Sequence, residues 1–188
     1  MKKILITTTL LICIAGFFST HAQEKYVSLN GNIQFYSKTT LEDIKAENKQ
    51  VQAMLNTTTY DIVFKVVMKN FRFAKAAMQD HFNGKQFLDT EKFPNASFEG
   101  KIVNNQQVDF SKPGKYNAEV EGKLTIRGVS KLIKEKGIIE VEDNQIKLTS
   151  TFFIELDDYE VKIPGNYVNN ISNSLQITLD AILTPFTR

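Results

Sequence analysis

YNAEVEGKLTIRGVSK, residues 116–131, alternates for six steps: Tyr116, Ala118, Val120, Gly122, Leu124 and Ile126 fall on one side. Glu119, Glu121, Lys123, Thr125 and Arg127 fall on the other. A period of two marks a strand with one dry face and one wet face. Such a dry face covers an ordinary core or lines a container, and inward Leu and Ile serve both. Gly122 interrupts it where a long barrel strand needs to bend, a role glycine takes at barrel corners.

The same alternation recurs over 26–37, 50–56, 60–69, 96–104, 131–142, 145–156 and 175–183, and 157–163 adds or extends a strand. Polar turn signals separate these segments: Asn56-Thr57-Thr58, Lys112-Pro113-Gly114 and Glu142-Asp143-Asn144. Short polar connections join antiparallel neighbours as hairpins. About eight such strands have a natural closed form, since closure removes both exposed sheet edges. The expectation is an all-β chain, a single antiparallel eight-stranded barrel with one or two short helices. One helix is predicted over 40–47, where Thr39 and Glu42 have capping-box spacing and Leu41 and Ile44 a one-sided stripe. The other is predicted over 74–82, stopped by Asn83-Gly84. Each is a lid across a barrel end or a plain surface connection.

The chain has 188 residues and opens MKKILITTTLLICIAGFFSTHAQ. Lys2 and Lys3 precede an apolar run from Ile4 to Phe18, and Thr20-His21-Ala22 fits a small-x-small cleavage site, so residues 1–22 read as a secretory signal peptide. The run is short of the ~20 residues a spanning helix needs, which argues against a stable membrane anchor. Cys13 lies inside the run behind Ile12 rather than behind a small residue, which argues against lipidation. Residues 23–188 then form one domain, exported to the periplasm or the medium.

Removal of the leader takes Lys2, Lys3, Cys13 and His21 with it, so Lys+Arg falls from 23 to 21 and equals the 21 acids. A balanced chain offers no basic field for nucleic acid. No cysteine remains and His81 is the last imidazole, so a thiolate nucleophile and Cys or multi-His metal sites are ruled out, and any Ser-His-Asp triad would have to use His81. His81 stands near the end of the second helix, where a cationic ring suits the dipole and can cap carbonyls. The acidic runs Glu140-Val141-Glu142-Asp143 and Glu155-Leu156-Asp157-Asp158 sit at strand ends and lack calcium-loop spacing. They read as solvated turns. Neither a P-loop nor a dinucleotide fingerprint occurs. Neither a catalytic residue nor a metal or cofactor site is expected.

What remains is apolar. Ile62, Phe64, Val66 and Met68 share one face, as do Phe152 and Ile154, and Leu175, Ile177 and Leu179. With Phe98, Val120, Leu124 and Ile126 they supply more than one wall. A barrel of about eight strands fills with side chains or holds one small ligand. These thirteen residues are the candidate lining of an apolar lumen.

The order of two runs is also informative. Phe93-Pro94-Asn95-Ala96-Ser97-Phe98-Glu99-Gly100, followed by Gly122-Lys123-Leu124-Thr125-Ile126-Arg127-Gly128-Val129-Ser130-Lys131, resembles the YceI-like family. The likeness extends through Phe73 to Phe82 and through Asp158-Tyr159-Glu160-Val161-Lys162-Ile163-Pro164. It implies an exported bacterial protein with a lipocalin-like barrel whose elongated lumen binds a polyisoprenoid or other long-chain, fatty-acid-like amphiphile. The alternative functions are an envelope stress or protein-interaction factor with a solidly packed barrel, and an enzyme on a lipid-like substrate. Relatives often carry His where this chain has Arg127, a permanent cation suited to phosphate or carboxylate. Period-two geometry instead makes Arg127 an outward-facing strand residue. Pairing of two barrels as a homodimer stays open.

Overall fold

Alternation along the chain becomes one sheet that closes on itself. The computed structural model describes residues 24–187, and the leader 1–22 lies outside them. Its strands are β1 (Lys25–Lys38), β2 (Asp43–Asn56), β3 (Asp61–Val67), β4 (Arg72–Phe73), β5 (Asn95–Ile102), β6 (Gly114–Ile126), β7 (Val129–Val141), β8 (Ile146–Glu155) and β9 (Ser174–Pro185). All pairings are antiparallel, and β1 bonds to both β2 and β9. The ring runs β1-β2-β3-β5-β6-β7-β8-β9 and back to β1, an eight-stranded closed barrel. Two-residue β4 continues the ladder on β2 at Ala46 and Glu47, beyond the reach of β3.

The switch from β3 to β4 leaves a break in the ladder that Asn48 repairs. Its fully buried side chain donates Nδ2 to the Val67 carbonyl at 3.0 Å and accepts the Gln50 N–H at 2.9 Å. A buried amide is tolerable there because both ends are satisfied.

The helix expected over 40–47 is absent. Glu42 and Thr39 form a turn in which Thr39 Oγ1 accepts the Glu42 N–H at 3.1 Å and donates to the Glu42 carbonyl at 2.8 Å. The local capping chemistry is therefore used in a hairpin, and the ladder from Lys38↔Asp43 to Ile33↔Asn48 takes the backbone groups a helix would need. Ile44, Ala46 and Asn48 are buried at strand period, while Leu41 is 67% exposed, so the supposed helical stripe does not exist. Propensity is a weak preference that tertiary pairing overrides. Residues 157–163 also depart from expectation: a 3-10 turn, Leu156–Tyr159, follows β8 in place of more strand.

The second helix does form, as α1 (Ala76–Asn83), with the Gly84 N–H bonded to the His81 carbonyl at its end. It lies over one barrel end. Phe82 stacks on Phe35 with centroids 5.8 Å apart and meets Phe71 and Phe73 at 5.4 and 5.1 Å. The opposite end is plugged by residues 103–113. Val108 is buried there, and the Tyr60 hydroxyl donates to its carbonyl at 3.3 Å while the Tyr60 ring meets Phe110 at 5.5 Å. Leu55, Ile102, Ile146 and Leu183 pack beneath this plug with almost no exposure.

Gly122 does more than permit a bend. It pairs with Gly100 across β5 and β6, and a Cβ on Gly122 would lie 2.5 Å from Gly100 Cα and 2.6 Å from the Phe98 ring. The two glycines give the Phe98 ring a flat floor. Gly122→Ala is expected to lose about 1–3 kcal/mol through overpacking. Leu55→Ala, in the filled end, is expected to cost about 2–5 kcal/mol. Urea unfolding followed by circular dichroism measures both.

Candidate functional site

Between the plug and α1 the interior is hollow. The space has a volume of about 190 Å³. All thirteen residues picked from the alternation, Ile62, Phe64, Val66, Met68, Phe98, Val120, Leu124, Ile126, Phe152, Ile154, Leu175, Ile177 and Leu179, line it. The ring brings β3, β5, β6, β8 and β9 together around one axis, so faces far apart in sequence become facing walls. From Ile62 to Met68 the lining spans about 20 Å at ~3.3 Å per residue. An apolar cavity of about 150 Å³ already stays dry and takes up small apolar molecules. A longer, narrow one suits a chain better than a compact polar substrate.

Sequence reasoning missed part of the lining. Ile33 and Phe35 of β1, Val51 of β2, Phe71, Phe82 and Leu88 also face the space. Val51 and the β1 pair alternate correctly in their strands and were legible. Phe71, Phe82 and Leu88 enter through irregular segments whose period says nothing about direction. Residues 133–141 of β7 were legible too: Ile133, Glu135, Gly137 and Ile139 are on the inward alternation, and each lines the cavity.

Glu135 is the one carboxylate on that inner face. It stands across the ladder from Val120. No hydrogen bond or ion pair reaches its carboxyl among the described residues. Burial raises its pKa, because the charged form is poorly solvated there. Nearby, burial first and then the charges of Asp158 and Glu135 push the Tyr159 hydroxyl up to about 12, so it stays protonated.

The other polar residues singled out from sequence have structural employment. The His81 Nε2 lies 3.3 Å from the Tyr167 hydroxyl, and the two rings are 5.1 Å apart, an arrangement that ties α1 to the turn at 165–167. Arg127 is not a strand residue. With φ 51° it forms, with Gly128 at φ 80°, the two-residue turn joining β6 to β7. Its Nη1 donates to the Glu160 carbonyl at 2.9 Å, and its guanidinium lies 6.0 Å from the Phe93 ring centre. The side chain clamps two loops and does not line the cavity. In the acidic runs, Glu140 meets Lys115 at 3.2 Å, Asp158 meets Lys131 at 3.6 Å, and Glu155 accepts from Asn173 at 3.0 Å.

Several solved structures share this architecture. A polyisoprenoid-binding domain from Saccharophagus degradans superposes with a TM-score of 0.74, at 10% identity, over 88% of this chain and all of that one (100%). BcnA of Burkholderia cenocepacia gives 0.66 at 16% identity, over 81% and 95% of the two chains. A mutant YceI protein of Campylobacter jejuni, crystallised with a monobromobimane guest, gives 0.63 at 15% identity, over 80% and 90%. Among curated sequences, a UPF0312 protein of Pseudomonas syringae pv. tomato is 29% identical over 113 residues, 57% of this chain and 54% of that protein. The chain thus spans about half the length of the curated relatives it matches. The YceI-like domain model itself matches residues 15–183, nearly the whole chain, and the protein belongs to the YceI-like domain family.

Proposed function

We propose that the protein is an exported carrier that holds a long-chain amphiphile, of isoprenoid or fatty-acid type, in the barrel lumen, and that it is not an enzyme. The continuous apolar cavity carries this reading. Each CH₂ moved from water into it contributes about 0.8 kcal/mol, so a long chain binds tightly with little polar help. The thirteen apolar residues picked from the sequence are its binding wall. Binding of polyisoprenoid by the Saccharophagus domain is in keeping with the proposal. A solidly packed interaction module would have no use for the void. An enzyme would need an assembled polar constellation, whereas His81 is occupied with Tyr167. Export rests on the leader, with Gln23 as the first mature residue.

Native mass spectrometry of gently purified protein is expected to show a copurified lipid, on a polypeptide whose mass corresponds to residues 23–188. Leu179→Trp fills the lumen and is expected to weaken geranylgeraniol or hexadecanol binding by about tenfold or more, the effect of lost apolar burial. Protein that emerges empty and takes up neither probe would overturn the carrier function.

A further inference from the structure

The barrel wall is not bonded along its full height. β6 and β7 pair without interruption from Gly114↔Val141 to Ile126↔Val129, and β8 pairs with β9 from Ile146 to Glu155. Between β7 and β8 the ladder runs only from Val141↔Ile146 to Gly137↔Ser150. There the Ser150 Oγ donates to the Lys136 carbonyl at 2.6 Å and occupies the position of the next ladder bond. Beyond it no ladder bond joins 132–136 to 151–155, and above them the turn Leu156–Tyr159 packs on β7, with Asp158 3.6 Å from Lys131. The gap opens on the cavity, which is lined from β7 by Ile133 and Glu135 and from β8 by Phe152 and Ile154. Its outer lips carry Leu132, 87% exposed, and Phe153, 62% exposed.

Glu135 sits in this unbonded stretch, pointing inward. Its carboxyl is partly withdrawn from solvent, which raises its pKa, and no group of the described chain donates to it. Of the cations near the gap, Lys136 is among the residues that line the cavity, where its carbonyl takes the Ser150 hydroxyl. By strand alternation Lys134 and Lys136 belong to the outer face; Lys134 pairs with Glu121 at 2.8 Å and lies 3.5 Å from Glu119. Lys131 is held by Asp158 and Arg127 by the Glu160 carbonyl. The Tyr159 hydroxyl is close enough to feel the Glu135 charge and is neutral. The inner mouth thus offers the Glu135 carboxylate, and by strand alternation no ammonium group is directed at it.

We propose that the gap between β7 and β8 admits the ligand's chain, and that Glu135 accepts a hydrogen bond from a headgroup that carries no negative charge, an alcohol, amide or amine. This rests on lumen binding and adds to it a headgroup class and a route of entry. A phosphate or carboxylate head would meet Glu135 as a like charge in a poorly solvated place, a juxtaposition that costs affinity steeply.

Four probes with one chain and different heads test it on the delipidated protein at neutral pH: hexadecane, hexadecanol, hexadecylamine and hexadecanoate. Hexadecanol and hexadecylamine are expected to bind about tenfold or more tighter than hexadecanoate, the effect of like-charge exclusion. Glu135→Gln should narrow that ratio, and Glu135→Lys should reverse it toward hexadecanoate. Equal affinities for the alcohol and the carboxylate, or a ratio that ignores both variants, would overturn the headgroup assignment even though hexadecane binds. Failure of all four, hexadecane included, removes the lumen reading and this inference with it. For the route, Leu132→Cys and Phe153→Cys in a Cys13→Ser background can be bridged by a bismaleimide. Bridging is expected to slow hexadecanol uptake, and an unchanged rate would place the entrance elsewhere.

Discussion

Closure of the ring at β1 is the constraint on which everything else depends. Because β1 bonds to β2 on one side and β9 on the other, no long strand is left at an edge. Once the sheet closes, alternation has only two destinations, the solvent and a single enclosed space. Every inward residue of eight strands must share that space. The glycine pair Gly100 and Gly122, with the Phe98 ring lying over it, shows how closely opposite requirements meet: the backbones approach where a side chain would not fit, and the ring covers the polar surface that results.

The two ends of the barrel solve the packing problem differently. Beneath the plug, aliphatic side chains of several strands meet and exclude space. Toward α1, aromatic rings gather around Phe35 and Phe82 and hold the lid without filling the volume between. Large flat rings bridge gaps that branched aliphatics would occupy, and the cavity lies between these two regimes. Polar groups that sequence inspection raises as chemistry serve this architecture: Arg127 and Glu160 tie a hairpin to the turn after β8, and His81 and Tyr167 tie the lid to the next turn.

Residues with several acceptable local structures were the ones misread. Thr39 and Glu42 satisfy a helix start and a hairpin turn with the same atoms, and only the availability of β1 as a partner decides between them. Arg127 continues a perfect alternation on paper but adopts a left-handed backbone, because Gly128 beside it permits a tight reversal into β7. Glu135 was overlooked although its parity is unambiguous. Seen alone it is a charged residue in a charged stretch, and it becomes conspicuous only when β6 and β8 place apolar walls around it.

By itself the sequence determined that the chain makes antiparallel strands, which side of most of them is dry, where α1 stops, and the family motifs in 93–100 and 122–131. Those are local properties, set by side-chain parity and turn chemistry. Only the tertiary structure decided that the dry faces enclose a void instead of filling it, and that β7 and β8 part above Gly137 and Ser150. Volume and ladder length depend on how distant strands are placed across the ring, and no residue's local preference encodes that distance.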